Sequence, residues 1–151
     1  QGEVSSQYAI NGAMKVLTGF RITKELKINI ETGQRLIDLC LASVNNEQAC
    51  DNFNIIYVLM NAVEVCPDYR TDEIIEFAEK RFQYYLEYYY PQYGGFSFYK
   101  KQSNYFYYGC RITEGLDEPD IHGTTMFLWG ISIICKLLKI DKEIGLQEMI
   151  P

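Results

Sequence analysis

Apolar side chains recur at three- and four-residue spacing in several stretches of this chain, most of which begin near a short polar residue able to cap a helix. Tyr8, Ile10, Ala13, Met14, Leu17 and Phe20 follow Ser5-Ser6-Gln7 and fall on one helical face. Asn29 offers a cap to a second helix, apolar at Leu36, Ile37, Leu39, Cys40 and Leu41, which an Asn45-Asn46 turn ends. Asp51 is read as the start of a third helix through Ile55, Ile56, Val58, Leu59, Ala62 and Val63, closed by Pro67. Thr71 is read as the cap of a fourth, with Asp72 and Glu73 in its first turn, where the helix dipole favours negative charge. That helix passes through Ile74, Ile75, Phe77, Ala78, Phe82 and Leu86 towards Tyr90 and stops before Pro91. Asp120 opens a fifth, running to about Lys139, and a weak sixth follows from Asp141.

The first, third and fifth helices resemble one another. Ala9-Ile10-Asn11-Gly12, with Leu17 and Gly19, matches Asp120-Ile121-His122-Gly123, with Leu128 and Gly130, at an offset of 111 residues. Asp51-Asn52-Phe53-Asn54 with Leu59 matches both, at offsets of 42 and 69. Similar helices recurring at such intervals predict stacked helical hairpins rather than a single bundle.

Between Pro91 and Glu118 the helical pattern stops for 28 residues. A segment of that length in a compact domain carries function or its own structure. Gly94-Gly95 signals a turn, and Phe96-Ser97-Phe98-Tyr99 alternates as a strand, predicted to pair with Tyr105-Phe106-Tyr107-Tyr108 across Lys100 to Asn104. Ten of the thirteen tyrosines lie between Tyr84 and Tyr108, so this is where an aromatic surface is expected. The expected fold is therefore all-α: an array of about three helical hairpins with a short β-hairpin-like insertion near residues 94–108.

Length and charge narrow the setting. At 151 residues the chain makes one domain with a sizeable core. The longest apolar run, Met126 to Leu138, is broken by Gly130 and Ser132 and is too short to span a bilayer. A net charge of −6 without clustered Lys and Arg argues against nucleic acid as a partner. The five cysteines, at 40, 50, 66, 110 and 135, form an odd set without CxxC spacing, which predicts free thiols and a cytoplasmic location. The first residue is not Met, and the chain is read as the C-terminal part of a longer protein.

Gly94-Gly95-Phe96-Ser97-Phe98, a tyrosine-rich connection, and then Asp120-Ile121-His122-Gly123-Thr124 leading into Leu128-Trp129-Gly130 resemble repeats of the protein prenyltransferase β-subunit and squalene-cyclase superfamily. The resemblance covers residues 50–140 or thereabouts. It implies an α/α toroid in which the first, third and fifth helices form the inner ring and the second and fourth lie outside. Complete toroids have more hairpins, so this chain looks like half of one, with an inner apolar wall to be covered by a missing N-terminal half or by self-association. The Asp-rich acid motif of class II cyclases is absent. Prenyltransferases hold zinc with Asp and Cys at one inner-helix start and His at a later one. Here Cys50-Asp51 and His122 stand at such places, with Cys and Asp in reversed order and no Asp-x-Cys spacing.

Zinc requires three or four N, S or O ligands converging on one point. Cys50, Asp51 and His122, with Cys110, are the residues able to supply them; cap and core roles explain the same residues more simply, so no cofactor is favoured. His122 beside Asp120 is the candidate acid–base pair, because imidazole titrates near neutrality. Glu114, Asp117, Glu118 and Asp120 form an acidic cluster of the kind paired carboxylates use on glycosidic bonds. Phe96, Tyr99, Tyr105, Tyr107, Tyr108 and Trp129 are the candidate ligand-binding rings, offering flat apolar faces and polar tips. Three functional readings follow. One is a prenyltransferase- or cyclase-like domain that binds an apolar or ring-containing small molecule near His122. Another is a carbohydrate-active or sugar-binding toroid that uses the tyrosines and the acidic cluster. The last is a structural interaction module without catalysis.

Overall fold

The computed structural model describes residues 5–24, 27–43 and 46–146. Helix α1 (Ser6–Ile22) starts where Ser5 accepts the Tyr8 amide, and α2 (Ile30–Ala42) where Asn29 accepts the Thr32 amide at 2.8 Å. Asn29 is the predicted cap, and Ser5 falls within the predicted Ser5-Ser6-Gln7 start. Of the expected Asn45-Asn46 turn, Asn45 lies outside the described residues.

The third helix differs from its prediction. α3 spans Ala49–Val65, so Asp51 is its third residue rather than its cap, and the Gln48 side chain makes no cap bond. The first amide is satisfied from elsewhere in the chain: Ala49 N–H donates to the Phe98 carbonyl at 2.8 Å. A tertiary acceptor has replaced the local cap, which residue type alone does not show. α4 (Thr71–Leu86) also lacks the expected threonine cap. It is preceded by Arg70 in the left-handed conformation (φ 53°), and the Thr71 hydroxyl turns back to the Pro67 carbonyl. It ends at Leu86 rather than near Tyr90, because Tyr89 and Tyr90 leave it as a strand. α5 (Ile121–Leu137) is capped by Asp120 as expected, and α6 (Asp141–Ile144) is a single turn.

α1, α3 and α5 lie side by side and parallel. Asn11 reaches Asn54 (43 residues on) and Arg21 reaches Asn61 (40 residues on), so α1 and α3 run in the same direction along their length. Cys50 meets His122 and Glu64 meets Lys136, each 72 residues apart, so α3 and α5 do the same. α2 packs on α3, and α4 on α5, as a second layer. In the middle sits α3, buried continuously from Asp51 to Ala62. Its buried amides are bonded: Asn54 donates to Asn11 Oδ1 at 2.8 Å, and Asn61 accepts from Arg21 Nε at 2.7 Å. The whole is mostly helical, with the small β insertion predicted. Among the described residues no helix is long and apolar enough to cross a membrane.

That insertion is wired differently from the expected pairing of 96–99 with 105–108. It holds two separate antiparallel pairs, β1 (Tyr89–Tyr90) with β2 (Gly95–Phe96), and β3 (Phe106–Tyr107) with β4 (Cys110–Arg111). The second closes through Tyr108-Gly109, whose φ values of 48° and 81° are those of the tight hairpin turn that matches strand twist. A local two-residue turn has outcompeted the longer pairing.

Candidate functional site

Asp120 is the structural centre of the site. One carboxylate oxygen caps α5 by accepting Gly123 N–H at 2.9 Å. The other accepts two loop amides, Phe98 N–H at 2.7 Å and Asn104 N–H at 2.9 Å. The carboxylate thus ties the tyrosine-rich loop to the start of α5. Thr124 adds a second tie, accepting the Phe96 amide at 2.9 Å. Gly123 lets the two segments touch, since a Cβ there would sit 2.4 Å from the Ser97 carbonyl carbon. Asp120 is placed here as an anchor. Toward His122 it acts only through its charge.

His122, the second residue of α5, lies half-buried with both ring nitrogens occupied. Nδ1 is 3.0 Å from the Asn104 side-chain amide, and Nε2 is 3.6 Å from Cys50 Sγ. Burial holds its pKa below the usual imidazole value, although the Asp120 charge works in the opposite direction. Burial also pushes the Cys50 thiol up to about 11, and neighbouring Asp51 adds to this. The resting pair is therefore a neutral thiol beside a neutral imidazole.

The aromatic candidates separate into two groups. Phe98 lies over the His122 ring at 4.5 Å between centroids, and Tyr107 meets its edge at 5.5 Å. From Phe98 the contacts continue to Tyr99 and Tyr105, and from Tyr107 to Tyr108, which is 91% exposed. Of the four candidate tyrosines, Tyr107 meets His122 directly, while Tyr99, Tyr105 and Tyr108 connect to it through neighbouring rings. Phe96 is buried against Phe127 and Tyr89, facing the core. Trp129 packs on Phe53 and Tyr57, two turns along the helix from His122. The Trp129 Nε1 and Tyr57 hydroxyl are buried with no hydrogen-bond partner among the described residues.

The other candidates disperse. The Asp51 carboxylate faces α1 and the α3 entry, accepting from Gln48 at 3.1 Å and lying 3.5 Å from Asn11 Nδ2. Cys110 is exposed in β4. No cluster of three or more His, Cys, Asp or Glu side chains able to hold a metal is present among the described residues. In the acidic segment, Glu114 pairs with Arg111, Asp117 accepts the Tyr90 hydroxyl, and Asp120 is taken up by three amides.

Sequence reasoning missed Asn104. A polar residue in a tyrosine-rich loop gives no periodic signal, and tertiary bonds from its amide to Asp120 and to its carbonyl from the Thr113 hydroxyl place it at the imidazole. From the sequence, Cys50 is a candidate metal ligand rather than the partner of a histidine alone. In comparisons with known proteins, no family model, curated protein or solved structure matches the chain.

Proposed function

We propose that this chain is a toroid-like helical domain, of the prenyltransferase and cyclase kind, that binds an apolar or ring-containing small molecule at the aromatic mouth beside His122. The observation that carries this reading is the continuous set of rings from Tyr108 through Tyr107, His122, Phe98 and Tyr99 to Tyr105, exposed at its ends and closed on the imidazole. Flat apolar faces with hydroxyl tips suit planar or polyene ligands. The Trp129 and Tyr57 donors, unpartnered among the described residues, lie further along the same pair of helices, which suits a ligand bearing an acceptor. The parallel helices α1, α3 and α5 with α2 and α4 behind them fit a toroid segment. The exposed Ile121 and Leu128 of α5, and Tyr8 and Val16 of α1, are where further hairpins or a second copy would continue it.

The test is a titration with geraniol, an isoprenoid alcohol, and with cellobiose, a disaccharide, followed through the single histidine by NMR. Geraniol should shift the His122 ring protons, and Tyr107→Ala with Tyr108→Ala should weaken that response. A shift produced by cellobiose alone, or geraniol binding indifferent to the tyrosines, would overturn the reading.

A further inference from the structure

Cys50, His122 and Asn104 stand in the order of a thiol acyl-transfer triad: sulfur 3.6 Å from one imidazole nitrogen, a side-chain amide 3.0 Å from the other. Each is positioned by a different part of the fold. Cys50 is the second residue of α3, His122 the second residue of α5, and Asn104 is 2% exposed and fixed through its backbone by Asp120. From this geometry we propose that Cys50 is a nucleophile toward activated acyl groups, with His122 as its base and Asn104 as the positioning residue for the ring. The proposal rests on the ligand reading above for the kind of substrate: an ester or thioester whose acyl part is apolar or aromatic and enters past Tyr107.

The chemistry balances without a cofactor. With the Asn104 amide oxygen turned to Nδ1–H, Nε2 carries a lone pair toward the Cys50 S–H; the two ends of a primary amide are sterically equivalent, and a half-turn exchanges them. As sulfur attacks the carbonyl carbon, the S–H proton passes to Nε2, a C–S bond forms, and the carbonyl π pair moves to oxygen. Collapse of that oxyanion expels the alcohol or thiol, which takes the proton back from Nε2–H and leaves a thioester on Cys50. Water then attacks the thioester with His122 again as base, releasing the acid and the free thiol. The first amides of a helix lack intrahelical acceptors, and that of Cys50 lies in the first turn of α3, the place for an oxyanion donor. Because the resting thiol is protonated, reactivity here depends on His122 and not on a standing thiolate.

Cys110 serves as an internal control, being a free, exposed thiol with no imidazole in contact. The experiment incubates the full chain with p-nitrophenyl phenylacetate and maps the acyl adduct by peptide mass spectrometry. The expected result is acylation of Cys50 in preference to Cys110, with release of p-nitrophenolate. His122→Gln should slow Cys50 acylation at least 100-fold, on the scale of a lost general base. Asn104→Ala should slow it less, with Asn104→Asp recovering part of the rate. Acylation of Cys110 with Cys50 untouched overturns the proposal, and so does a Cys50 rate that His122→Gln leaves unchanged. Should His122→Gln fail to fold by circular dichroism, the Cys50-to-Cys110 ratio in the unsubstituted chain decides alone. The unsubstituted chain separates the two readings: a geraniol response without acylation of Cys50 sinks the triad only, whereas absence of any geraniol response sinks the binding site itself.

Discussion

Replacing glycine by alanine should have opposite signs in α1 and α5, and the difference comes from what each Cβ meets. Inside a helix the exchange gains up to about 1 kcal/mol, because alanine loses less backbone entropy. At Gly12, exposed in α1, none of the described residues lies within 4 Å of the new methyl. Gly12→Ala is therefore expected to stabilise by about 0.5–1 kcal/mol. At Gly123 the same carbon would stand 2.4 Å from the Ser97 carbonyl carbon and 2.5 Å from the Phe98 nitrogen. Both are backbone atoms and cannot rotate away. Overpacking costs about 1–3 kcal/mol where the surroundings can shift. Moving Phe98 also strips Asp120 of its 2.7 Å bond, worth about 1.5–3 kcal/mol for a charged acceptor. Set against the helical gain, Gly123→Ala should lose about 2–5 kcal/mol. For a chain of this size that lowers Tm by roughly 5–15 °C. Thermal melts and urea titrations followed by far-UV circular dichroism measure both variants. A Gly123→Ala protein that melts at or above the parent would refute the close contact between the loop and α5.

Asp120→Ala removes a cap and leaves two loop amides unpaired, so about 3–5 kcal/mol should disappear in urea unfolding; Asp120→Asn should lose distinctly less, and equal losses would show that the charge is irrelevant. The pKa of His122 is depressed in the fold, so the unfolded chain binds the proton more readily. Its contribution is complete above pH 6.5 and is lost as pH falls through the folded value. An NMR titration of this sole histidine should find its midpoint below 6.5, and a midpoint at or above that value would contradict the burial. Glu64 joins Arg21 of α1 and Lys136 of α5 at 2.7 and 3.0 Å. Burial alone would raise its pKa, but hydrogen bonds from Lys136 and Arg21 outweigh this and hold it below the usual carboxylate value. Since the cluster is partly exposed, Glu64→Gln should cost only about 0.5–1 kcal/mol, shrinking in high salt. A larger, salt-independent loss would mean the cluster is more deeply desolvated than its exposure indicates.

What was legible in the sequence is what local chemistry decides. Ser5, Asn29 and Asp120 cap helices because each supplies a side-chain acceptor to an amide three residues on, and at Asp120 the distant loop amides use the other carboxylate oxygen. The apolar faces of α1 and α2 follow from spacing, except that Tyr8 at the start of α1 is exposed. The failures share a different cause. α3 starts two residues before Asp51 because the carbonyl of Phe98, 49 residues away, receives its first amide. α4 ends early because Tyr89 and Tyr90 find strand partners in Gly95 and Phe96. Of the ring candidates, periodicity could not separate Phe96, which faces the core, from Tyr107, which meets His122, since the loop has no fixed face.

The location of the thiol–imidazole pair follows from the repeat once it is registered on helix starts. Matching Asp51 with Asp120 by residue type sets the spacing at 69 residues, and Cys50 is then matched with Pro119, ahead of the α5 cap. The helices begin at Ala49 and Ile121, which makes the spacing 72 and places Cys50 and His122 at the same second position of two parallel neighbours. The same position in α1 is Gln7. Three parallel helices that start at one level bring their second residues to one end of the array. The tyrosine loop reaches that end too, because its Phe98 backbone serves both starts: the carbonyl accepts from Ala49 and the amide donates to Asp120. One residue of the loop therefore sets the relative level of α3 and α5. Any change that frees Phe98 from either helix should loosen the Cys50–His122 contact before it unfolds the core.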